Sequence, residues 1–154
     1  MKPLVKYFFF LPTLCLLLIA CKIDQGLGTL DSSITGKVIF LHPEKRPDYV
    51  EAVRVIAAVK LPPESLGDVV FTYTSLDLSR EEVEYRIPAP ITSYELVAAV
   101  WKEKGKTWNY ANILGFYGYD PVNYKFEYEK VVLTKEHPVA KDIDIYCDWS
   151  LLRP

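Results

Sequence analysis

Apolar and polar positions alternate with a period of two in residues 124–128 and 142–149. This period is typical of β-strands that bury one face, and it is clearest near the end, where apolar residues from Ile143 to Trp149 occupy every second position. Groups of Pro, Gly, Asp and Ser separate such stretches, and short strands spaced in this way predict one all-β sandwich domain over residues 34–152. The predicted strands cover residues 35–41, 52–61, 69–76, 83–88, 94–101, 112–118, 124–134 and 141–149.

The stretch from residue 92 to residue 105 also fits a second interpretation. Thr92 and Glu95 have the spacing of a helix capping box, and Gly105 could end a helix. However, Pro88 and Pro90 precede the stretch closely, and a continuous apolar run is also typical of a buried central strand. We therefore predict a strand here.

Two stretches resemble those of a known class of sandwich domains. The sequences ITGKVIF (34–40) and YELVAAVWKEKGKTW (94–108) are similar to the first and a middle strand of transthyretin-like, carboxypeptidase-regulatory-type domains, and IDI (143–145) to their closing strand. The resemblance implies an Ig-like or transthyretin-like sandwich of seven to eight strands. The Tyr-x-Leu stretch also resembles strand F of fibronectin type III domains, where Tyr94 would form a tyrosine corner. Both topologies stay open.

The first 20 residues have a different pattern from the rest. Lys2 and Lys6 precede 14 uncharged residues, 7–20. A helix of that length reaches only about 21 Å, which is less than the ~30 Å thickness of the hydrocarbon core. A short apolar segment after basic residues therefore predicts a secretory signal peptide over residues 1–20 rather than a membrane span.

Residues 18–21, Leu-Ile-Ala-Cys, resemble the lipobox of bacterial lipoproteins. The resemblance implies that Cys21 carries a diacylglycerol, that cleavage occurs before it, and that its new amino group is acylated. Two or three acyl chains hold a protein stably at a membrane. In lipoproteins of bacteria with two membranes, an aspartate directly after the lipidated cysteine favours retention in the inner membrane. This chain has Lys22 at that position, which implies the outer membrane, at its periplasmic face or at the cell surface. Residues 21–33 are predicted to be this lipidated cysteine and a flexible tether.

Removal of the signal peptide would leave 134 of the 154 residues and would change the net charge from −2 to −4, because two lysines are lost. A mildly acidic balance gives no reason to expect nucleic acid as a partner. The predicted partners are the membrane, through the lipid anchor, and an envelope protein or a glycan. Cys147 would remain as the single thiol, and its strand position predicts a buried side chain.

The sequence contains none of the common motifs for catalysis or cofactor binding, such as G-x-S-x-G, H-E-x-x-H, a P-loop or C-x-x-C. His42 and His137 each precede a proline and are predicted to lie in solvated loops. Asp142, Asp144 and Asp148 lie along the outer face of one predicted strand, and they are too far apart to hold a metal ion alone. We therefore expect a non-enzymatic protein without cofactor or metal, and hydrolysis by an unrecognised carboxylate pair is a weaker alternative.

Aromatic residues are concentrated between residues 107 and 128, among Gly, Asn and Pro. The alternating Tyr124, Phe126 and Tyr128 are predicted to complete the core. Exposed aromatic rings near turns can stack on sugars or anchor a protein partner, so the aromatic loop makes glycan binding the alternative to a general binding or structural role in the envelope. The candidate ligand-binding residues are Trp108, Tyr110, Tyr117 and Tyr119.

Overall fold

The computed structural model describes residues 31–152. The predicted signal peptide, Cys21 and most of the predicted tether lie outside the described residues. Ser32 is buried and Ser33 opens the first strand, so both residues belong to the folded part of the described chain. Among the described residues, no helix has the length and apolar character needed to cross a bilayer.

The described chain is an all-β sandwich, as predicted, and its strands are shorter and more numerous than the sequence pattern indicates. Three 3-10 turns accompany them, at Pro43–Lys45, Leu66–Asp68 and Trp149–Leu151. The strands are β1 (Ser33–Leu41), β2 (Val50–Ala58), β3 (Val69–Phe71), β4 (Glu82–Pro88), β5 (Ser93–Tyr94), β6 (Leu96–Glu103), β7 (Ile113–Phe116), β8 (Tyr119–Asp120), β9 (Lys125–Phe126), β10 (Val131–Val132), β11 (Val139–Ala140) and β12 (Ile145–Asp148).

The first sheet is built around β1, which pairs antiparallel with β4 on one side and parallel with β11 and β12 on the other. The last two strands act as one strand that is interrupted where Asp142 adopts a φ of 58°. At this kink the backbone N–H of Ile143 donates to Thr35 O at 3.1 Å. Gly36 faces the kink, and a Cβ on it would lie 2.5 Å from the carbonyl carbon of Ile143. The kink therefore requires glycine at position 36.

The second sheet has the strand order β3-β2-β6-β7, and all its pairs are antiparallel. The central place of β6 confirms the strand interpretation of residues 94–101 over the helix. Val97 and Ala99 on β6 face the core between the two sheets, and both are fully buried. The continuous apolar run is explained by burial of the other face of β6 as well, which is described below.

The core between the sheets confirms the predicted position of Cys147, which is fully buried and free. Burial raises the pKa of this thiol. Nearby, Trp149 stacks on Phe40 with ring centroids 5.4 Å apart. The Tyr94 side chain is also buried, and its Oη donates to Pro90 O at 2.8 Å. This hydrogen bond to the backbone four residues upstream has the form of a tyrosine corner.

The prediction for residues 124–134 is wrong in two respects. Only β9 and β10 form within this range, and they belong to different pairs, with β8 and β5 respectively. Tyr124, Phe126 and Tyr128 are 85%, 64% and 54% exposed, so they do not complete the core. The physical reason is a hairpin: Tyr124 adopts a φ of 54° in the turn between β8 and β9, and the chain there projects away from the sandwich.

Candidate functional site

The four-stranded sheet is apolar on its outer face as well as on the face toward the core. On the outer face, Ile56 lies opposite Phe71 and Ala98, and Ala98 lies opposite Phe116, which makes one row across all four strands. The buried outer residues form a cluster separate from the main core. Antiparallel sheets commonly leave one face to water. This second apolar face therefore calls for a cover.

The cover is the loop between β6 and β7, which places Trp108 and Tyr110 against the outer face. Gly105 starts this loop with a φ of 71°, a conformation that favours glycine. The Glu51 carboxylate accepts a hydrogen bond from Gly105 N at 3.2 Å and another from Lys102 Nζ at 2.7 Å. These bonds lower the pKa of Glu51, the bond from Lys102 most strongly. Glu51 on β2 thus anchors the start of the loop that holds two large rings over the sheet.

Arg54 lies under this loop, in the row next to that of Ile56. Its guanidinium carbon is 5.1 Å from the ring centroid of Trp108 and 5.7 Å from that of Phe71. Both distances are within the range of cation–π attraction. Within residues 31–152, Arg54 makes no ion pair, and its buried Nε has no hydrogen-bond partner. We call Arg54, Phe71 and Trp108 the arginine clamp.

A small cavity adjoins the arginine clamp. Its volume is about 110 Å³, and it is open to solvent on one side. The walls are apolar or aromatic apart from the guanidinium. The lining residues are Arg54, Ile56, Phe71, Val100, Trp108 and Tyr110.

A series of four aromatic rings lies beside this face, where β7 leads into the β8–β9 hairpin. In order of contact the rings are Phe126, Tyr119, Phe116 and Tyr128, with successive centroids 5.3, 5.6 and 4.4 Å apart. We call them the aromatic strip. Tyr119 is 7% exposed and contacts Phe116 and Phe126, whereas Phe126 and Tyr128 are open to solvent. Phe116 also packs on the outer-face cluster, so the strip and the cover of the arginine clamp rest on one apolar surface.

The structure distributes the four predicted site residues over three environments. Trp108 and Tyr110 lie together at the arginine clamp, and Tyr119 lies in the aromatic strip, mostly buried. Tyr117 instead packs against the core between the sheets. Burial and the nearby Glu129, which is hydrogen-bonded to the phenol, raise the pKa of Tyr117. Tyr117 therefore supports the hairpin rather than the exposed surface.

Arg54 and Phe71 are part of the site, and the sequence reasoning missed both. Arg54 lies in the stretch AVRVIAAV (52–59), in which all the remaining residues are apolar. A lone cation in such a strand is itself a signal, because a charge among buried neighbours needs either a partner or a function. Phe71 gave no such signal, since its place beside Arg54 depends on the pairing of β3 with β2.

A second concave region lies between β1, β4 and the kink at Asp142. This groove is wide and open, with a volume of about 610 Å³. It mixes both signs of charge: Glu84, Asp142 and Asp144 with Lys37, Arg86 and Lys141. Asp144 Oδ1 accepts a hydrogen bond from Lys37 N at 2.9 Å. Among residues 31–152, no three His, Cys, Asp or Glu side chains are arranged to hold a metal.

The same groove bears on the hydrolase alternative, which requires a concave pocket with two acidic groups. Glu84, Asp142 and Asp144 are therefore the candidates for that alternative.

Comparisons of the whole chain with protein-family models, with curated proteins and with solved structures found no match in any of the three.

Proposed function

We propose that this chain is a lipid-anchored, non-enzymatic binding protein of the cell envelope, and that it recognises a glycan through the outer face of its four-stranded sheet. The observation that carries the glycan assignment is the aromatic strip, in which Phe126 and Tyr128 stay exposed while the rings between them hold them in place. Large apolar side chains in water favour a ligand that can cover them.

The geometry of the strip suits sugars for two reasons. Aromatic rings offer flat apolar faces to the C–H surfaces of sugar rings, and the Tyr hydroxyls at their edges can bind sugar hydroxyls. In addition, Phe126 contacts Tyr119, and Tyr128 contacts Phe116. A ring already held by a neighbour loses less conformational freedom on binding, which favours affinity.

A binding experiment tests this proposal directly. We suggest a glycan array, followed by calorimetric titration, with the detergent-solubilised full chain and cell-wall and plant polysaccharides. In the double variant Phe126→Ala, Tyr128→Ala, affinity should fall at least tenfold, because about 1 kcal/mol from each ring exceeds the 1.4 kcal/mol that a factor of ten requires.

Tyr73→Ala is the matched control for that experiment. Tyr73 is 78% exposed, like the strip residues, but it follows β3 at the opposite edge of the sheet. Its removal should leave affinity unchanged. Absence of binding to every polysaccharide, or equal losses in the double variant and in Tyr73→Ala, would contradict glycan recognition by the strip.

The anchor rests on the lipobox-like residues 18–21 and is tested separately. Cys21→Ser should leave an unprocessed precursor without bound lipid, whereas growth with an inhibitor of signal peptidase II should leave an uncleaved precursor that still carries lipid on Cys21. Metabolic labelling with a fatty acid and membrane fractionation measure this outcome. Normal processing of the Cys21→Ser variant would contradict a lipoprotein.

The non-enzymatic part of the proposal has its own assay. Incubation of the protein with each bound glycan should release no new reducing ends. Release that disappears in Glu84→Gln or Asp144→Asn would instead establish hydrolysis in the charged groove beside β4.

A further inference from the structure

We infer that the arginine clamp is a carboxylate-binding site that receives the acidic group of a uronic-acid-containing oligosaccharide. This inference rests on the proposed glycan binding and adds the chemical class of the ligand. It is carried by the guanidinium of Arg54, which makes no ion pair within residues 31–152 and lies over the rings of Trp108 and Phe71 at the wall of a small cavity.

The state of Arg54 differs from that of a comparable cation on the same face. The Lys102 side chain is 21% exposed and forms an ion pair with Glu51 at 2.7 Å. Arg54 is also partly buried but makes no such pair within the described chain, and its Nε is buried without a hydrogen bond. Buried charges and polar groups are costly unless they are paired. The fold therefore maintains a cation without a counterion in the described chain, and an external anion would pair with the terminal nitrogens of its guanidinium rather than with the buried Nε.

The position of the two rings determines how an anion can approach. The guanidinium lies over the rings of Trp108 and Phe71, and a cation stacked on aromatic rings keeps the N–H groups at its edge for hydrogen bonding. The edge of a guanidinium presents two parallel N–H donors, which match the two oxygens of a carboxylate in one plane. A planar carboxylate is consequently the group that the clamp fits best.

The cavity limits what can enter beside the guanidinium. The cavity is small, with a volume of about 110 Å³, so it suits a carboxylate rather than a whole sugar ring. The apolar walls at Ile56 and Val100 offer no hydrogen bonds to sugar hydroxyls. The sugar ring itself must then lie outside, on the exposed surface near Tyr110.

The distance to the aromatic strip indicates an oligosaccharide rather than a single sugar. Arg54 and Phe116 are separated by two strand spacings and by one step of two residues along the strand. With ~4.8 Å between strands and ~3.4 Å per residue, their Cα atoms are about 12 Å apart. One ligand can occupy both places only if it is longer than one ring and carries its acid at one end of that span.

The test is a titration of the full chain with three charged probes: oligogalacturonate, oligoalginate and a glucuronate-containing oligosaccharide. Their methyl esters and neutral oligosaccharides of equal length serve as uncharged ligands. We expect Arg54→Gln to weaken binding of at least one acid at least tenfold and to leave binding of its ester unchanged. Arg54→Lys should also weaken binding of the acid, because an ammonium group cannot present two parallel N–H donors to a carboxylate.

Arg86→Gln is the matched control, since it removes one positive charge from an exposed residue of β4 in the other sheet. It should bind the acid as the wild type does. Arg54→Lys keeps the charge next to the rings, so it tests the site even if Arg54→Gln unfolds, and thermal melts of each variant establish folding.

Several outcomes would overturn the inference. Equal effects of Arg54→Gln and Arg86→Gln, equal affinity for acid and ester, or tighter binding of sulfated than of carboxylated sugars would remove the carboxylate site. If neutral oligosaccharides still bind and lose affinity in the Phe126→Ala, Tyr128→Ala variant, glycan recognition stands without it. Absence of binding to any oligosaccharide would overturn both.

Discussion

Replacement of Gly36 by alanine should destabilise the domain strongly, because the new methyl group would meet backbone atoms. An ideal Cβ at this position lies 2.5 Å from the carbonyl carbon and 2.9 Å from the nitrogen of Ile143, and closer still to the carbonyl oxygen. Real Cβ atoms essentially never approach within 3.0 Å of such atoms. Either β1 or the kink after Asp142 must therefore move.

The magnitude follows from what holds the kink in place. Three hydrogen bonds join it to the rest of the sheet: Ile143 N to Thr35 O at 3.1 Å, Lys37 N to Asp144 Oδ1 at 2.9 Å, and Tyr85 Oη to Ile143 O at 2.5 Å. Each contributes about 0.5–1.5 kcal/mol, and overpacking alone costs about 1–3 kcal/mol. Partial loss of the bonds gives a decrease of about 2–4 kcal/mol in the free energy of unfolding.

Urea unfolding and thermal melts measure this change, and two other glycines supply controls. A methyl group on Gly67 would meet nothing closer than 3.5 Å, so Gly67→Ala should leave stability equal or raise it by up to about 1 kcal/mol. Gly105 has free space around it but a φ of 71°, so Gly105→Ala should cost about 1 kcal/mol through backbone conformation alone.

The expected order of stability is Gly67→Ala above Gly105→Ala above Gly36→Ala. At roughly 3–5 °C per kcal/mol for a domain of this size, the last variant should melt about 6–20 °C below the wild type. If the free energy of unfolding of Gly36→Ala lay within about 0.5 kcal/mol of that of Gly67→Ala, this result would refute the close approach of β1 to the kink.

Three further predictions concern other parts of the domain. Tyr94→Phe removes the hydrogen bond to Pro90 O and should lower the free energy of unfolding by about 1 kcal/mol. Burial raises the pKa of Tyr94 from 10.0 to about 12, so the stability of the wild type should hold below pH 10 and fall between pH 10 and 12. Urea unfolding at each pH should show a smaller fall in the variant. Cys147 should not react with a thiol reagent at pH 8 until denaturant is added, since burial raises its pKa and the thiolate is the reactive form; rapid reaction of native protein would contradict its burial. Glu51→Ala removes the hydrogen bond that anchors the start of the loop carrying Trp108, so calorimetry should show weaker oligouronate binding while thermal melts stay close to those of the wild type, because an exposed ion pair contributes little to stability.

The sequence predicted the class of fold because the central elements obey simple periodicity. Cys147 alternates with polar neighbours, and its burial followed directly from that alternation. The same rule failed for Phe126, since alternation shows which residues share a face but not whether that face meets the core. The hairpin formed by β8 and β9, which pairs Phe126 with Tyr119, turns that face to solvent.

The candidate site was partly predictable for a related reason. Trp108 and Tyr110 stood out through residue type and position near a turn, whereas Arg54 and Phe71 belong to strands that seemed complete in themselves. The site exists only because β2 pairs with both β3 and β6, which places residues from three distant stretches around one guanidinium. A local sequence pattern does not predict which strands pair with each other.

The central position of β1 has a mechanical consequence. The chain enters the folded domain at Ser33, at the beginning of a strand that is hydrogen-bonded on both sides. Tension on the preceding segment would run along β1, so the backbone hydrogen bonds to the neighbouring strands on both sides would share the load. A body tethered by this end is built to resist being pulled open.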